Sequence, residues 1–159
     1  MTDTERKIVA AQGYVELKLY AEAREELSTL PPDAMNRAEV VELRMLCLMG
    51  AEDWEGALGQ ARRLCAMERE EPGGFIHAAY CLHELGRTIE ALDLLSNGPP
   101  ALRTKAVYYY NLGCYHARLG HRDQALSHLE KCFEMDVRFR RMAREDPDLN
   151  TLKAVLENS

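Results

Sequence analysis

The sequence repeats itself with a period of about 34 residues, and this period limits the possible fold more than any other feature. The stretch LGRTIEALDLL at 85–95 returns as LGHRDQALSHL at 119–129, with leucine, glycine and alanine at fixed positions. Equal steps along the chain give a set of alanines in register: Ala23, Ala57, Ala91 and Ala125. A second set stands four residues further on: Leu27, Ala61, Leu95 and Leu129. Self-similarity at this period is typical of arrays of helix–turn–helix units.

Apolar residues within each unit follow α-helical spacing. In the last unit, Ala125, Leu129 and Phe133 fall on one face of a helix, and Gly120 interrupts the chain before it. Proline and glycine separate the units, in LPPD at 30–33, EPGG at 71–74 and NGPP at 97–100. The sequence therefore predicts an all-α protein with four antiparallel helix pairs, at about 4–30, 34–68, 72–97 and 102–136.

The C-terminal residues depart from the repeat. Asp146 is a predicted N-cap and Pro147 a predicted first helical residue. They precede apolar residues at helical spacing: Leu149, Leu152, Val155 and Leu156. Because the last repeat of an array leaves one apolar face uncovered, we expect a capping helix at 148–157 to cover the face of Leu129 and Phe133.

Composition favours one globular domain in a chain of 159 residues, and a net charge of −6 disfavours nucleic acid as a partner. No apolar run has the length of a signal peptide or of a membrane span, so we expect no membrane association. The cysteines are odd in number, form no CxxC pair and lie in apolar helical patterns: Cys47, Cys65, Cys81, Cys114 and Cys132. We expect them to be reduced core residues of a cytoplasmic protein.

The units resemble tetratricopeptide repeats, whose signature combines aromatic positions with Leu-Gly and a spaced alanine. The best match, YNLGCYHARLGHRDQALSHLEKCF at 110–133, carries Leu112, Gly113 and Gly120. The third unit has alanines at 78–79 instead of Leu-Gly. The second unit has Arg-Met at 44–45 and an early Gly50, which predicts a shift of its first helix by a residue or two.

The resemblance implies a right-handed α-solenoid of antiparallel helix pairs. Its repeats would form a single domain at 1–137, and each would have a length of about 34 residues. The four repeats would lie at about 4–37, 38–71, 72–105 and 106–139. Residues 138–159 would form the connector and the capping helix.

The resemblance also implies that the first helix of each pair lines a concave groove in which peptides lie. Carried over in steps of one repeat, the candidate groove residues are Leu43, Leu46, Ile76, His77, Tyr80, His83, Tyr110, Asn111, Cys114 and Arg118. Leu43 and Leu46 are the expected apolar anchors, although packing of the apolar members against neighbouring helices is an open alternative. A grip on a C-terminal carboxylate is disfavoured, because only Asn111 and Arg118 match that kind of site.

These residues predict a non-catalytic protein–protein interaction module, a scaffold that binds a protein or peptide partner with apolar anchors and few charges. We expect a bacterial, cytoplasmic monomer or weak homodimer. One alternative is a chaperone for an exported protein, because FIHAAYCLHELG at 75–86 resembles the tetratricopeptide chaperones of type III secretion. A structural spacer, with the groove filled by the chain's own termini or by another copy, is a further alternative.

The sequence indicates no catalytic residue, metal or cofactor. HELG at 83–86 opens like a zinc-protease motif, but Arg87 stands where the second histidine would be. His77 and Cys81 are spaced to share a metal, which leaves a small metal-dependent enzyme as a disfavoured alternative. The remaining histidines are expected on different faces: His116, His121 and His128. Among the consecutive tyrosines 108–110, the middle one is expected in the seam between helices and its neighbours partly exposed.

Alanine recurs in the repeat because two closely crossing helices leave room for little more than a methyl group between them. Ala125→Leu should overpack this crossing and lower the free energy of unfolding by about 1–3 kcal/mol. Urea denaturation followed by circular dichroism measures the loss, and an unchanged midpoint would contradict the close crossing.

Overall fold

The structure, a computed structural model, describes residues 1–158. In this range, helices are joined by short turns and loops, and there is no strand. Four helix pairs follow one another: α1 (Asp3–Glu16) with α2 (Tyr20–Ser28), α3 (Ala38–Gly50) with α4 (Trp54–Met67), α5 (Gly73–Glu84) with α6 (Thr88–Ser96), and α7 (Ala106–Arg118) with α8 (Arg122–Met135). Short 3-10 helices span Ala34–Asn36 and Pro100–Thr104 between pairs. The predicted all-α solenoid of helix pairs is confirmed. Within residues 1–158, no helix is both long and apolar enough to reach across a bilayer.

The turn inside each pair has the same geometry in all four units. The first helices end at residues 16, 50, 84 and 118, and the second helices begin at residues 20, 54, 88 and 122. Each three-residue turn has a left-handed residue at its centre: Lys18 (φ 59°), Glu52 (φ 58°), Gly86 (φ 78°) and Gly120 (φ 79°). The following residue donates its backbone N–H into the last turn of the first helix, as Arg87 does to the Leu82 carbonyl at 2.8 Å.

The predicted shift in the first helix of the second unit is wrong. α3 ends in register with the other first helices, because Glu52 adopts the left-handed conformation that glycine supplies in the later units. Gly50 has a different role, since a Cβ there would overlap the ring of Tyr20. Gly50 therefore allows close packing of α3 against Tyr20, and it is not the turn glycine that the sequence pattern suggested.

The repeated alanines lie at equivalent, fully buried positions on the second helices. Ala23, Ala57, Ala91 and Ala125 are each 0% exposed. Each donates its backbone N–H to the residue just before its helix, as Ala125 does to the His121 carbonyl at 3.0 Å. One apolar cluster runs through the second, third and fourth pairs into the C-terminal segment, and another joins the first pair to α3.

At one equivalent helix crossing, the large and the small side chain swap places between the fourth and the second pair. In the fourth pair, Gly113 on α7 faces Leu129 on α8, and a Cβ on the glycine would lie 2.6 Å from the leucine Cγ. In the second pair the equivalent residues are Met45 and Ala61, both fully buried, so that the larger side chain comes from the first helix. The combined volume at the crossing is therefore kept while the residue types change.

The C-terminal segment contains three short elements where the sequence suggested one capping helix. These are α9 (Phe139–Glu145), a 3-10 helix (Pro147–Leu152) and α10 (Lys153–Glu157). Asp146 caps the 3-10 helix, and its Oδ1 accepts the N–H of Asp148 at 2.9 Å. Leu149, Leu152 and Leu156 are all buried in the main core, and Val155 and Leu156 lie beside Leu129 and Phe133.

Gly113→Ala should lower the free energy of unfolding by about 1–3 kcal/mol, because its methyl group would collide with Leu129. Combined with Leu129→Ala, the loss should be smaller than the sum of the two single losses, since the added methyl then enters vacated space. Gly59→Ala is the matched control on an exposed helical surface with no neighbour within 4 Å. It should raise stability by up to about 1 kcal/mol. Additive losses in a denaturant double-mutant cycle would contradict the predicted contact.

Candidate functional site

The groove face of α5 and α7 is bordered by the chain's own C-terminal segment. The 3-10 helix Pro147–Leu152 packs against α7, and residues 146–148 reach the side chains that the repeat pattern assigned to the groove. Part of the surface that the sequence predicted as a groove is therefore covered by the chain itself.

Side chains of α5 and α7 hold the two aspartates of this segment. Tyr110 donates its hydroxyl to Asp146 Oδ2 at 2.6 Å. Asp148 Oδ2 lies 2.9 Å from His83 Nε2, and its Oδ1 lies 3.6 Å from Arg118 Nε. The second ring nitrogen of His83, Nδ1, is 2.9 Å from the Thr88 hydroxyl, which fixes the ring between α6 and the segment.

A pocket of about 300 Å³ remains between α5, α7 and residues 146–148, and we call it the α5–α7 pocket. Tyr80, Glu84, Asn111 and Tyr115 line it together with that segment. Tyr115 is 1% exposed, and its hydroxyl has no hydrogen-bond partner among residues 1–158. Since a buried polar atom without a partner is costly, the pocket contains unused hydrogen-bonding capacity.

The tyrosines and Cys114 of the pocket wall are held in their neutral forms. Burial, with the nearby Glu84 carboxylate, raises the pKa of Tyr80 to about 12. Burial and the hydrogen bond to Asp146 raise the pKa of Tyr110 further, and burial beside Asp146 raises that of the Cys114 thiol. A protonated thiol is a poor nucleophile, so Cys114 is not activated for covalent chemistry.

One group of potential metal ligands lies at the edge of the pocket. Cys114, Asp146 and Asp148 each offer one ligand atom, and these atoms lie within 4.8 Å of one another. Both oxygens of Asp146 already accept hydrogen bonds, and the raised pKa of Cys114 disfavours the thiolate that a metal requires. The arrangement therefore fits an internal hydrogen-bond network better than a metal site.

The other predicted groove residues do not join the pocket. Leu43 is 6% exposed in the N-terminal apolar cluster and offers almost no surface to a partner. Leu46 and Ile76 are half-buried against the main core. His77 directs Nδ1 at the Gly73 carbonyl of its own helix, at 2.8 Å.

Sequence reasoning did not assign Glu84, Tyr115, Asp146 or Asp148 to this site. Glu84 stands one repeat before the predicted groove residue Arg118, so a step of one repeat could have found it. Tyr115 follows the predicted Cys114 but is one repeat after Cys81, which was not a predicted groove residue, so the period gave no signal for it. Asp146 was recognised as a helix cap, but no sequence pattern indicated which surface it would meet.

Three histidines expected on different faces are in fact neighbours. Nδ1 of His116 lies 3.1 Å from Nδ1 of His121, and the His116 ring stacks on that of His128 with centroids 5.3 Å apart. The turn folds α8 back along α7, which brings the end of one helix beside the middle of the other. The expectation of scattered histidines is wrong for this reason.

The partial exposure expected for Tyr108 and Tyr110 is also wrong, whereas Tyr109 lies in the seam between α7 and α8 as expected. Tyr108 and Tyr110 are 7% and 5% exposed, whereas Tyr109 is half-buried and stacks on His128. Tyr109 faces α8, whereas Tyr110 faces the C-terminal segment, where its ring contacts Phe139 and its hydroxyl donates to Asp146.

Comparison with known proteins identifies one repeat of the chain by sequence and relates the whole fold to a solved structure. Residues 106–136 match the family model described as tetratricopeptide repeat. The fold is similar to the solved structure of MamA MSR-1 C2, with a TM-score of 0.70 and 19% sequence identity. The similarity covers 86% of this chain and 79% of that one. No curated protein matches the sequence at a significant level.

The histidine cluster should make stability fall in mild acid. Burial lowers the pKa of His128, and burial with the neighbouring rings lowers that of His116. As the pH falls through the ordinary histidine value of about 6.5, the unfolded chain binds protons that the folded chain resists. The free energy of unfolding should therefore decrease between pH 7.5 and pH 5.0.

The variant His116→Gln with His128→Gln should show a smaller decrease than the parent chain. Ser127→Gln, on the exposed side of α8, is the matched control and should keep the full decrease. Urea midpoints at the two pH values measure the effect. An equal decrease in the parent chain and the double variant would contradict the role of the cluster.

Proposed function

We propose that this chain is a non-catalytic scaffold of tetratricopeptide repeats that binds a polypeptide partner along the face of α5 and α7. The match of residues 106–136 to the tetratricopeptide repeat model supports this proposal. The observation that carries the proposal is the α5–α7 pocket, where groove side chains meet and the Tyr115 hydroxyl is unpaired. Polar groups with unused capacity beside exposed aromatic surface are typical of a recognition site.

The exposed aromatic surface of the pocket supports the same proposal. Tyr80 is 37% exposed, and its ring is held edge-on against Trp54 with centroids 5.7 Å apart. An aromatic ring that is fixed in place and partly open loses little entropy when a partner covers it. Tyrosine is also among the residues that contribute most to binding at protein interfaces.

The first helix pair bears on the chaperone alternative. The chaperones that the sequence resembles carry an N-terminal dimerisation helix, whereas here α1 packs with α2 as a repeat unit. Ile8 and Ala11 of α1 are 4% and 0% exposed in the cluster that joins this pair to α3. A scaffold role is therefore favoured over that alternative.

The cysteines support a reducing compartment such as the cytoplasm as the place of action. All five thiols are free, and four of them are buried inside the helix array. Helical packing supplies the core without disulfides, which is usual for proteins of that compartment.

A displayed library of random peptides tests the proposal. Peptides selected on the folded chain should lose about tenfold or more in affinity for Tyr80→Ala combined with Asn111→Ala. Ile89→Ala, a highly exposed residue of α6 outside the pocket, is the control and should bind as the parent does. Thermal melts establish that all variants fold. Selected peptides that bind the double variant as tightly as the parent would place the binding site elsewhere.

A further inference from the structure

We propose that the α5–α7 pocket receives an arginine side chain of the partner peptide. This inference rests on the proposed function and names the chemistry of its partner. It differs from the expectation of a partner with few charges, because the structure shows how the C-terminal segment changes the chemistry of the groove.

The C-terminal segment uses the hydrogen-bond donors of this part of the groove. The Tyr110 hydroxyl is bonded to Asp146, while His83 and Arg118 are directed at Asp148. An acidic partner would therefore find these donors already engaged by carboxylates. It would also approach two aspartates of like charge at short range, which is unfavourable.

The charged groups that line the pocket are mainly carboxylates. Glu84, Asp146 and Asp148 place three carboxylates along its lining. The cationic groups beside them are Arg118 and, when protonated, His83. The carboxylates outnumber these cations in either protonation state of His83, so the pocket attracts a cation. Carboxylate oxygens have several lone pairs, and those of the segment can accept further hydrogen bonds.

The walls of the pocket suit a planar cation. The rings of Tyr80, Tyr110 and Tyr115 all line it, and a guanidinium group stacks favourably on aromatic faces. Guanidinium also carries five N–H donors in a fixed plane, which can reach a carboxylate and a second acceptor together.

The Tyr115 hydroxyl supports a ligand in the pocket independently of the charge argument, because it has no partner in the described residues. Its oxygen is buried in the pocket wall with no partner in the described residues, and an arginine N–H directed into the pocket would satisfy it. A pocket of about 300 Å³ lies at the small end of ligand sites, which fits one side chain better than a large cofactor.

The experiment uses N-acetyl-argininamide as the probe and its neutral isostere N-acetyl-citrullinamide as the comparison. Each is titrated into the full ¹⁵N-labelled chain, and amide signals are followed by NMR. The arginine probe should shift the amides of α5, α7 and residues 146–148, while the citrulline probe at the same concentrations should not. Equal binding of the two probes, or shifts confined to another surface, would overturn the inference.

Variants identify the contacts. Glu84→Gln should weaken binding of the arginine probe about threefold to fivefold, as expected for a partly exposed ion pair. Glu16→Gln is the matched control, because Glu16 holds the equivalent last position of α1, and binding should not change. Tyr115→Phe should weaken binding without lowering stability, since its hydroxyl has no hydrogen-bond partner in the described part of the chain. Equal effects of the two glutamate variants would also overturn the inference.

The result separates this inference from the proposed function. If library peptides bind the groove but lack basic residues at the pocket, the scaffold stands and the arginine pocket fails. If the arginine probe binds as expected while no peptide is selected, the pocket chemistry stands and the peptide groove fails.

Discussion

The three-residue turn inside each helix pair determines where every other part of the molecule lies. Its central residue adopts the left-handed conformation in all four repeats, and the hydrogen bonds on either side fix both the end of one helix and the start of the next. A turn defined this tightly sets how far the second helix is rotated about its own axis. The repeated alanine therefore lies in every repeat where the two helices of the pair cross. Glycine removes the steric penalty of this conformation in two repeats, whereas Lys18 and Glu52 bear a cost of about 1–2 kcal/mol each.

This constraint explains which parts of the fold could be predicted from sequence. The turn enforces the repeat interval, so equal steps from Ala125 find the equivalent residue in every repeat. Individual residue motifs were less reliable. Gly50 imitates a turn glycine but packs against Tyr20, and Met45 replaces a small residue because Ala61 makes room opposite it. Geometry recurs from repeat to repeat, while the residues that satisfy it vary.

The candidate site was only partly predictable for a related reason. Its α5 and α7 side chains follow the repeat, and steps of one repeat placed Tyr80, Tyr110 and Asn111 on one surface. Asp146 and Asp148 lie outside the repeat, so no period relates them to the groove. Their position depends on α9, which carries the chain from the end of α8 back across α7. The histidine cluster likewise required knowledge of how far α8 runs along α7.

The C-terminal segment is best regarded as a permanent wall of the groove. Leu149 and Leu152 are almost completely buried, and burying each contributes on the order of 1.5–3 kcal/mol. The segment is also covalently attached, so its effective concentration at the groove is far above that of a free partner. A partner that had to displace it would lose both the apolar contacts and the bonds to Tyr110 and His83. A partner that binds beside it instead meets a surface composed of repeat and tail together. Because this tail contributes carboxylates, the surface of α5 and α7 carries more negative charge than the repeats alone would give it.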